Sequence, residues 1–402
     1  MSTKSLLSPD AALAAVLERT PAPRAERRAL NAAMGLVLAG EVLFDRDYPP
    51  FNRAMMDGFG VCAEDAGRSV RLAGVAAAGK PWSGVVTPGS AVEIMTGAPC
   101  PPGVETVVPV EQVERQRDEV TLPEVLEPGR NIAAQGTEGT RGKVLLPAGT
   151  VVTPLAAAAL ASVGVHRPNV HPRPRVAVIT TGDELVHQGE TPAWYQMRDS
   201  NAPLLRALLL AIGVDELAFY HAADSVDSIC AALASAREAD IIVLTGGVSM
   251  GGHDLVPACC EAEGFQKVFH KVAQKPGKPL LFATRGHQLL FGLPGNPLAV
   301  HLCAHRYVAA ALRAMSGRAP GPETAAGELT APAAVRGDRT GFAFAVVAAT
   351  PSGYALTPLE HVSSADVFTS PAAHALMRLE PDTEYRKGSA MAFEWLWGGI
   401  RP

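Results

Sequence analysis

Three short runs of apolar residues stand out in the second half of the chain. They are RVAVIT (175–180), DIIVLT (240–245) and HQLLFGL (287–293). Strands that are apolar on both faces are typical of a sheet that helices cover on both sides. Apolar residues at helical spacing lie between and after these runs, in APLLRALLLAIG, SVDSICAALASAREA and NPLAVHLCAHRYVAAALRAM. This alternation predicts a doubly wound α/β domain.

The pattern changes outside this region. Residues 1 to about 45 are predicted to form two helices, the first starting near Ser8-Pro9-Asp10, and TPLAAAALASVGV (153–165) predicts another helix. Between them, frequent Gly and Pro and short strand-like runs predict a β-rich lobe. After the linker SGRAPGPETAAGE (316–328), short segments such as FAFAVVAAT predict a terminal β domain. The predicted fold class is α/β plus β, multidomain.

Composition narrows the function classes. The 402 residues are 19% charged with a net charge of -5, which argues against a general nucleic-acid or acidic-membrane binder. The six cysteines have no CxxC spacing, so we expect free thiols in a reducing compartment. The first twenty residues are too polar for a signal peptide, and no apolar run reaches the ~20 residues that span a bilayer. We therefore expect a soluble, cytoplasmic protein without nucleic-acid or membrane partners.

Glycine-containing turns follow the three apolar runs. They are TGDEL (181–185), GGVSMGGHD (246–254) and GLPGNP (292–297), and each is predicted to lead into a helix. Ligands of open α/β sheets bind beyond the carboxyl ends of the strands, and such turns let backbone N–H groups approach phosphate. One turn is explained by geometry alone, whereas three in one domain indicate an anionic ligand.

Carboxylates accompany these turns. Asp183, Glu184, Asp224 and Asp254 fall at or just after predicted strand ends. A hard cation such as Mg²⁺ would reconcile acidic groups with a bound phosphate. The alternative is that Asp183, Asp224 and Asp254 cap helices, as Asp199 and Ser200 are expected to do.

The stretch HKVAQKPGKPLLF (270–282) adds cations. In Lys275-Pro276-Gly277-Lys278, Pro suits the second position of a type II turn and Gly the third. Such a turn brings the two lysine backbones within ~7 Å, with Lys271 nearby in sequence. The pattern is consistent with two interpretations: the lysines lie on the solvated surface, or they face a bound anion.

The β lobe contributes two further candidates. Asp57 lies in a Met-Asp-Gly turn, and Thr96 precedes a Gly-Ala-Pro turn. Turn chemistry alone would explain both residues.

Taken together, eight stretches resemble the molybdopterin molybdenumtransferase family, which includes MoeA and the gephyrin E domain. They occur in family order to about residue 316: PPFNRAMMDGFG, IMTGAPCPPGVETVVPVE, GRNIAAQGTEG, TTGDELV, DSNAPLL, TGGVSMGGHDLV, KPGKPLLF and GLPGNPLAV. The resemblance implies a helical hinge and dimer domain (1–45 with 140–172), a β-rich lobe (46–139), an α/β domain like molybdopterin adenylyltransferase (173–318) and a C-terminal β domain (319–402).

The resemblance also implies a reaction and partners. Molybdate is transferred onto adenylylated molybdopterin with Mg²⁺-dependent release of AMP. An elongated homodimer is implied, with the active cleft between the α/β domain of one subunit and the lobe of the other. A molybdopterin adenylyltransferase and downstream molybdoenzyme or cofactor-maturation proteins are the implied partners.

Site residues are carried over motif by motif. The implied catalytic residues are Asp57, Thr96, Glu184, Asp224 and Asp254, with Glu184 and Asp254 at the metal. The implied phosphate-binding residues are Gly246, Gly247, Ser249, Pro294, Gly295 and Pro297. The implied molybdate-binding residues are Lys271, Lys275, Lys278, Arg339 and Ser363.

Several positions depart from the family pattern, including Met55 in the lobe motif, where Ala is usual. Ala54 and Phe59 replace Ser and Tyr in the lobe motif, and Glu138 replaces an Asp. His361-Val362-Ser363-Ser364 stands where Gln-Gly-Ser-Gly is usual. These departures leave a non-catalytic scaffold of the same fold as an alternative. A phosphohydrolase is another, because such an α/β domain recurs in those enzymes, but the lobe motifs argue against it. A tungstate insertase is a third, because the two oxyanions are nearly isosteric. Retention of Asp57, Glu184, Asp254 and the lysines favours the insertase over a scaffold.

Overall fold

The computed structural model describes residues 6–248 and 255–397. The chain divides into two compact units, Arg27–Asn169 and a second unit made of Met1–Glu26 with Val170–Pro402. The helices in the described ranges are α1 Pro9–Arg19, α2 Pro154–Ser162, α3 Asn201–Ala211, α4 Val226–Ser235, α5 Leu255–Ala262, α6 Pro297–Cys303 and α7 Ala309–Met315, the last two joined by a π turn at Ala304–Val308. Within these ranges, every helix is too short or too polar to cross a lipid bilayer.

Helix starts follow their capping residues. Ser8 caps α1, since its hydroxyl accepts the N–H of Ala11, and Pro9 occupies the first turn. Thr153 caps α2 in the same way. Both predicted helices are confirmed.

The second helix predicted within residues 1–45 is wrong. After α1, the described residues up to 45 form a 3₁₀ turn at Leu30–Ala33 and short strands at Glu26–Arg27, Val37–Leu38 and Val42–Leu43. The N–H of Gly35, whose φ is 75°, donates to the carbonyl of Val152, and Val37 forms a bridge with Val151. Pairing with a distant segment of the same unit has overridden local helix propensity.

The unit Arg27–Asn169 carries the predicted β-rich lobe. Its sheet has six strands in the order β8-β5-β7-β6-β10-β9. Val107 and Val108 point into separate apolar clusters, because successive side chains of a strand face opposite sides. The strands up to residue 171 are β1 Glu26–Arg27, β2 Val37–Leu38, β3 Val42–Leu43, β4 Arg53–Ala54, β5 Gly58–Val61, β6 Ser69–Ala76, β7 Ser90–Ile94, β8 Thr106–Pro109, β9 Glu114–Gln116, β10 Glu119–Thr121, β11 Ile132–Ala133, β12 Val144–Leu146 and β13 Asn169–His171.

The second unit contains the predicted α/β domain. Its sheet runs β17-β14-β18-β22-β21-β19, with the first four strands parallel and the last two antiparallel to their neighbours. The three apolar runs form β14, β18 and β22, as predicted. The strands of this part are β14 Val176–Thr181, β15 Leu185–Val186, β16 Met197–Arg198, β17 Leu217–Ala222, β18 Ile241–Thr245, β19 Gln266–His270, β20 Gln274–Lys275, β21 Leu281–Arg285 and β22 Gln288–Leu293.

Helices cover both faces of this sheet. Val178 on β14 joins a cluster with residues of α1, α3, α6 and α7, whereas Ile179 joins one with α4 and α5. Nearly every side chain of the central strands is therefore removed from water. The doubly wound architecture is confirmed, and α1 belongs to its core through Ala12 and Val16.

The C-terminal part closes on itself. Its strands β25, β26, β23, β29 and β27 pair in that order, and β27 returns to β25. From the α/β domain, β20 adds to the free edge of β25 in parallel, with Gln274 opposite Thr340. The remaining strands are β23 Thr324–Leu329, β24 Ala333–Val335, β25 Thr340–Thr350, β26 Gly353–Pro358, β27 Ala375–Leu379, β28 Thr383–Tyr385 and β29 Ala390–Trp395.

Candidate functional site

Four parallel strands deliver their loops to one edge of the α/β sheet. The last residue of β14, Thr181, lies opposite Ala222, the last residue of β17. Thr245 ends β18 and lies opposite both Thr180 and Leu293. The structure therefore places the loops after all four strands side by side, at the edge where ligands of such sheets bind.

The first loop ties two carboxylate-bearing segments together. Asp183 Oδ1 accepts the backbone N–H of Asp224 at 3.0 Å, and the side chains of Asp183, Glu184 and Asp224 are all exposed. Gly182 adopts φ 144°, and a Cβ there would lie 2.8 Å from Glu184 Oε2. The carboxylates thus project from neighbouring strand ends into solvent.

Neither Asp183 nor Asp224 caps a helix. The TGDEL turn leads into β15 and not into a helix, so that expectation is wrong for the first loop. Ser225 caps α4 with its own hydroxyl. At α3 the cap is Asp199, whose Oδ1 accepts the N–H groups of Asn201 and Ala202, while the Ser200 side chain makes no capping bond.

Glycine is required in the second loop. Gly246 has φ 90°, and a Cβ would fall 2.6 Å from Thr181 Oγ1 and 2.7 Å from the Thr181 carbonyl oxygen. Gly247 also has positive φ, at 61°. The other predicted residues of this loop, Ser249 and Asp254, lie outside the described residues.

The third loop lies beside the second. A Cβ on Gly295 would be 3.9 Å from the Cα of Gly246, and Pro297 begins α6. Asn201 Nδ2 donates to the carbonyl of Gly295 at 2.8 Å. Its Oδ1 is buried without a partner among the described residues. The sequence pattern gave no sign that Asn201 would anchor this loop.

The lysine loop leaves the sheet at the same edge. His270 ends β19 and pairs with Leu281, which pairs with Gly292 near the end of β22. His270 Nε2 also lies 3.1 Å from the carbonyl oxygen of Val248 in the second loop. β19 is antiparallel to β21, and β21 is antiparallel to β22, so β19 runs in the same direction as β22. Lys271, which follows β19, therefore lies at the same edge as the glycine loops.

Positive φ angles shape the lysine loop. Gly277 has φ 86°, as the third position of the predicted turn requires, and Lys275–Pro276 is a cis peptide bond. Lys271 adopts φ 90°, which is uncommon for a residue with a Cβ and clusters at functional sites. Lys275 and Lys278 are exposed, and Lys271 is half-buried.

Arg339 lies against this loop. Its Nη1 donates to the carbonyl of Gln274 at 3.4 Å, beside the β20–β25 pairing. Within the described ranges, no carboxylate lies within 4 Å of Lys271, Lys275, Lys278 or Arg339. Cations without an ion-pair partner in the described part of the chain are the groups that an anionic ligand needs.

Ser364, next to the predicted molybdate contact Ser363, contacts the third loop. Asn296 Nδ2 donates to Ser364 Oγ at 2.7 Å, and the N–H of Leu298 donates to the Ser364 carbonyl. The exposed Ser363 uses its hydroxyl to accept the N–H of Ala365. The atypical C-terminal motif therefore contacts the α/β domain through Ser364, which is hydrogen-bonded to Asn296 and Leu298.

In the lobe, Asp57 and Thr96 form one unit. Asp57 Oδ1 accepts both the hydroxyl of Thr96 at 2.6 Å and its backbone N–H at 2.7 Å. The Thr96 hydroxyl, and then its N–H, hold the pKa of the Asp57 carboxyl below its ordinary value. Gly58 is required next to it, because a Cβ would fall 2.0 Å from the Val108 carbonyl oxygen.

The departures in the lobe motif fit their surroundings. Ala54 and Phe59 are each 1% exposed, so both sit in apolar cores where a hydroxyl would need a partner. Glu138 forms an ion pair with Arg53 at 2.6 Å. None of these substitutions disturbs the Asp57–Thr96 pair.

A magnesium ion suits the donors at the sheet edge. In the described part of the chain, no three Asp, Glu, His or Cys residues converge on one point. Mg²⁺ is usually held through one or two carboxylates together with substrate phosphates, so exposed Glu184 and Asp224 fit that role. Asp254, the other predicted ligand, is outside the described ranges.

Comparisons with known proteins agree with this architecture. Residues 7–164 match the MoeA N-terminal region (domain I and II), and residues 177–314 match the probable molybdopterin binding domain. A molybdopterin molybdenumtransferase of Synechocystis is 34% identical over 69% of this chain and 73% of its own length. One from Haemophilus influenzae is 32% identical over 78% of each chain.

Solved structures agree as well. Two crystal structures of the molybdopterin biosynthesis MoeA protein from Pyrococcus horikoshii have TM-scores of 0.84 and 0.80 at 26% and 25% identity. They cover 98% and 97% of this chain and 99% and 100% of their own. The expected multidomain fold and the expectation of an enzyme of this type are confirmed. The chain belongs to the molybdopterin molybdenumtransferase family.

Proposed function

We propose that this protein inserts molybdate into adenylylated molybdopterin and releases AMP in a Mg²⁺-dependent reaction, giving molybdenum cofactor. The observation that carries the proposal is a set of four cations without an ion-pair partner among the described residues, Lys271, Lys275, Lys278 and Arg339, at the edge where the glycine loops and carboxylates emerge. Molybdate and the phosphates of the substrate are both anions, and each needs cations or N–H donors.

The glycine loops hold the substrate phosphates in this proposal. Gly246 and Gly247 both have positive φ, as backbone segments that form anion-binding concavities often do, and the bond from the Gly246 N–H to the Leu293 carbonyl fixes the start of the loop. Pro294, Gly295 and Pro297 shape the adjoining third loop, and Ser249 adds a hydroxyl. Asn201 keeps the third loop in place through Gly295.

The carboxylates Glu184 and Asp254 hold the metal, with Asp224 beside them. Mg²⁺ would neutralise charge that develops on the leaving AMP. Asp183 contributes indirectly, since its bond to the N–H of Asp224 fixes the spacing of the two loops. Glu184 is solvent-exposed, so its carboxylate is accessible to a metal ion that also binds the substrate phosphates.

Lys275 and Lys278 share the oxyanion, and Lys271 supports them. Arg339 extends the cationic surface from the C-terminal domain. Ser363 keeps its hydroxyl proton free to donate, because its oxygen is the acceptor for Ala365. On the lobe side, Asp57 stays ionised and is oriented by Thr96.

The proposal extends to assembly and location. A homodimer forms in the cytoplasm, a molybdopterin adenylyltransferase supplies the substrate, and a molybdoenzyme or cofactor-maturation protein receives the product.

The deciding experiment measures AMP release from adenylylated molybdopterin with Mg²⁺ and molybdate, and separately with tungstate. We expect AMP and active cofactor with molybdate. Absence of AMP release under both conditions would refute the proposal, and release with tungstate alone would identify a tungstate insertase. For variants that replace Lys275 and Lys278 by Ala, Lys267→Ala is a matched control. Lys267 is exposed on β19 but precedes the lysine loop.

A further inference from the structure

The lysine loop rests on a buried amide. Gln274, on β20, is 0% exposed, and its Nε2 donates to the carbonyl of Gly277 at 3.1 Å. This bond spans the turn from the residue before Lys275 to the residue before Lys278. A side chain thus supplies the cross-turn hydrogen bond and fixes the distance between the two lysine backbones.

A buried phenol orients that amide. Tyr307 is 0% exposed, and its hydroxyl donates to Gln274 Oε1 at 2.6 Å. Burial raises the pKa of Tyr307, so the phenol remains a donor at any pH where the protein is folded. With Oε1 directed at Tyr307, the amide nitrogen faces Gly277.

Two further contacts converge on Gln274. Arg339 donates to its backbone carbonyl, and Cys303 Sγ lies 3.4 Å from its Nε2. A Cβ on Gly277 would fall 2.8 Å from both Cys303 Sγ and Gln274 Nε2. The turn is therefore seated directly on the helix that carries Cys303 and Tyr307.

The position of Tyr307 depends on a π turn. The helix from Pro297 to Met315 is interrupted at Ala304–Val308 by i→i+5 hydrogen bonding. Such a turn inserts one extra residue and is frequent at functional sites. It places a tyrosine beneath Gln274 within a cluster that is otherwise made of apolar residues.

We propose that Gln274 and Tyr307 are positioning residues for the oxyanion site: together they set the spacing of Lys275, Lys278 and Arg339. The inference rests on the proposed function, because it assumes that these cations bind molybdate. A polar pair is costly in an apolar core unless its hydrogen bonds are made, and a satisfied pair fixes one geometry. Here both ends of the amide are used, one toward the helix and one toward the turn.

The test compares Tyr307→Phe with the control Val308→Ala. Tyr307→Phe removes one hydroxyl, whereas Val308 is 0% exposed in the same π turn and belongs to the apolar cluster. Molybdate-dependent AMP release is measured for both variants and for the double variant Lys275→Ala/Lys278→Ala. We expect Tyr307→Phe to raise the KM for molybdate roughly three- to tenfold, with kcat and the KM for adenylylated molybdopterin near wild type. Val308→Ala should lower the thermal midpoint and leave the KM for molybdate unchanged.

The outcomes separate two failures. A wild-type KM for molybdate in Tyr307→Phe, with a raised KM in the lysine variant, would overturn the positioning role alone. Wild-type KM values in both would overturn the lysine assignment as well. If Tyr307→Phe is not recovered folded, Gln274→Leu removes the bond with Tyr307 and also the bond to Gly277, and must raise the KM for molybdate at least as much.

Discussion

Asp183 Oδ1 accepts the backbone N–H of Asp224 at 3.0 Å, and this bond joins the loops that follow two neighbouring parallel strands, β14 and β17. The two residues are 41 positions apart in sequence. Their pairing holds three exposed carboxylates on one edge of the sheet. This is the edge at which we propose that Mg²⁺ binds together with the substrate phosphates.

Glu184→Gln should reduce turnover roughly tenfold or more and raise the Mg²⁺ concentration for half-maximal AMP release, because one carboxylate ligand becomes a neutral amide. Mg²⁺ titrations of AMP release measure this. Glu190→Gln is the control, since Glu190 is an exposed carboxylate in the loop between β15 and β16, a few residues after Glu184. Equal Mg²⁺ dependence in both variants would remove Glu184 from the metal site.

Gly246→Ala should impair both stability and substrate binding, whereas Gly286→Ala should impair stability alone. Both glycines have positive φ, at 90° and 58°, so each substitution costs about 1–2 kcal/mol in backbone strain. Only at Gly246 does the added Cβ also collide with Thr181, since nothing lies within 4 Å at Gly286.

Thermal unfolding and the KM for adenylylated molybdopterin measure the two effects. Gly246→Ala is expected to show the larger fall in midpoint together with a raised KM. An unchanged KM would argue against a phosphate role for the second loop.

Thr96→Val should raise the pKa of Asp57 toward the ordinary 3.8, because it removes the hydroxyl that is the largest cause of the lowered pKa. The backbone N–H of Thr96 still donates, so part of the lowering persists. Titration of the Asp57 carboxyl carbon by NMR measures the change directly.

The sign of the accompanying pH effect follows from linkage. A carboxyl with a lowered pKa in the folded state stabilises the fold above its unfolded pKa, and this contribution is lost as pH falls through the folded pKa. In Thr96→Val the loss of stability between pH 7 and pH 3 should therefore be smaller than in the wild type. A larger loss would contradict the assignment.

Mixing two inactive variants tests the homodimer implied by the family. If each site takes its lobe from one chain and its α/β domain from the other, Asp57→Ala mixed with Glu184→Gln should regain about a quarter of wild-type activity. Half of the dimers are then mixed, and one of their two symmetric sites is intact. AMP release after subunit exchange is the measurement, and zero recovery would place both residues in a site within one chain.

Much of the α/β domain was predictable because its signals are local. The runs that became β14, β18 and β22 are continuous and apolar, and parallel strands bring their carboxyl ends to the same edge. The glycines of the second loop were recognisable for the same reason, since residues without a Cβ mark positive φ.

The position of the lysine loop was not predictable in this way. Lys271 reaches the site edge only because β19 and β21 add two antiparallel strands beyond β22, and strand pairing is a non-local property. The Asp57–Thr96 pair, 39 residues apart, and the buried Gln274–Tyr307 bond, 33 residues apart, leave no spacing signal. At α4 the cap is Ser225 and not Asp224. The sequence could not distinguish these two adjacent polar residues, because the choice depends on which side chain faces the end of the helix.

The pairing of β20 with β25 determines what removal of the C-terminal domain would do to the rest of the chain. Gln274 and Lys275 form an edge strand of the C-terminal sheet although they belong in sequence to the α/β domain. Removing the C-terminal domain would therefore strip main-chain partners from the segment that presents Lys275, and would withdraw Arg339 at the same time. A truncation of the C-terminal domain would therefore also alter the proposed anion site. The lysines keep their geometry only when both domains are present.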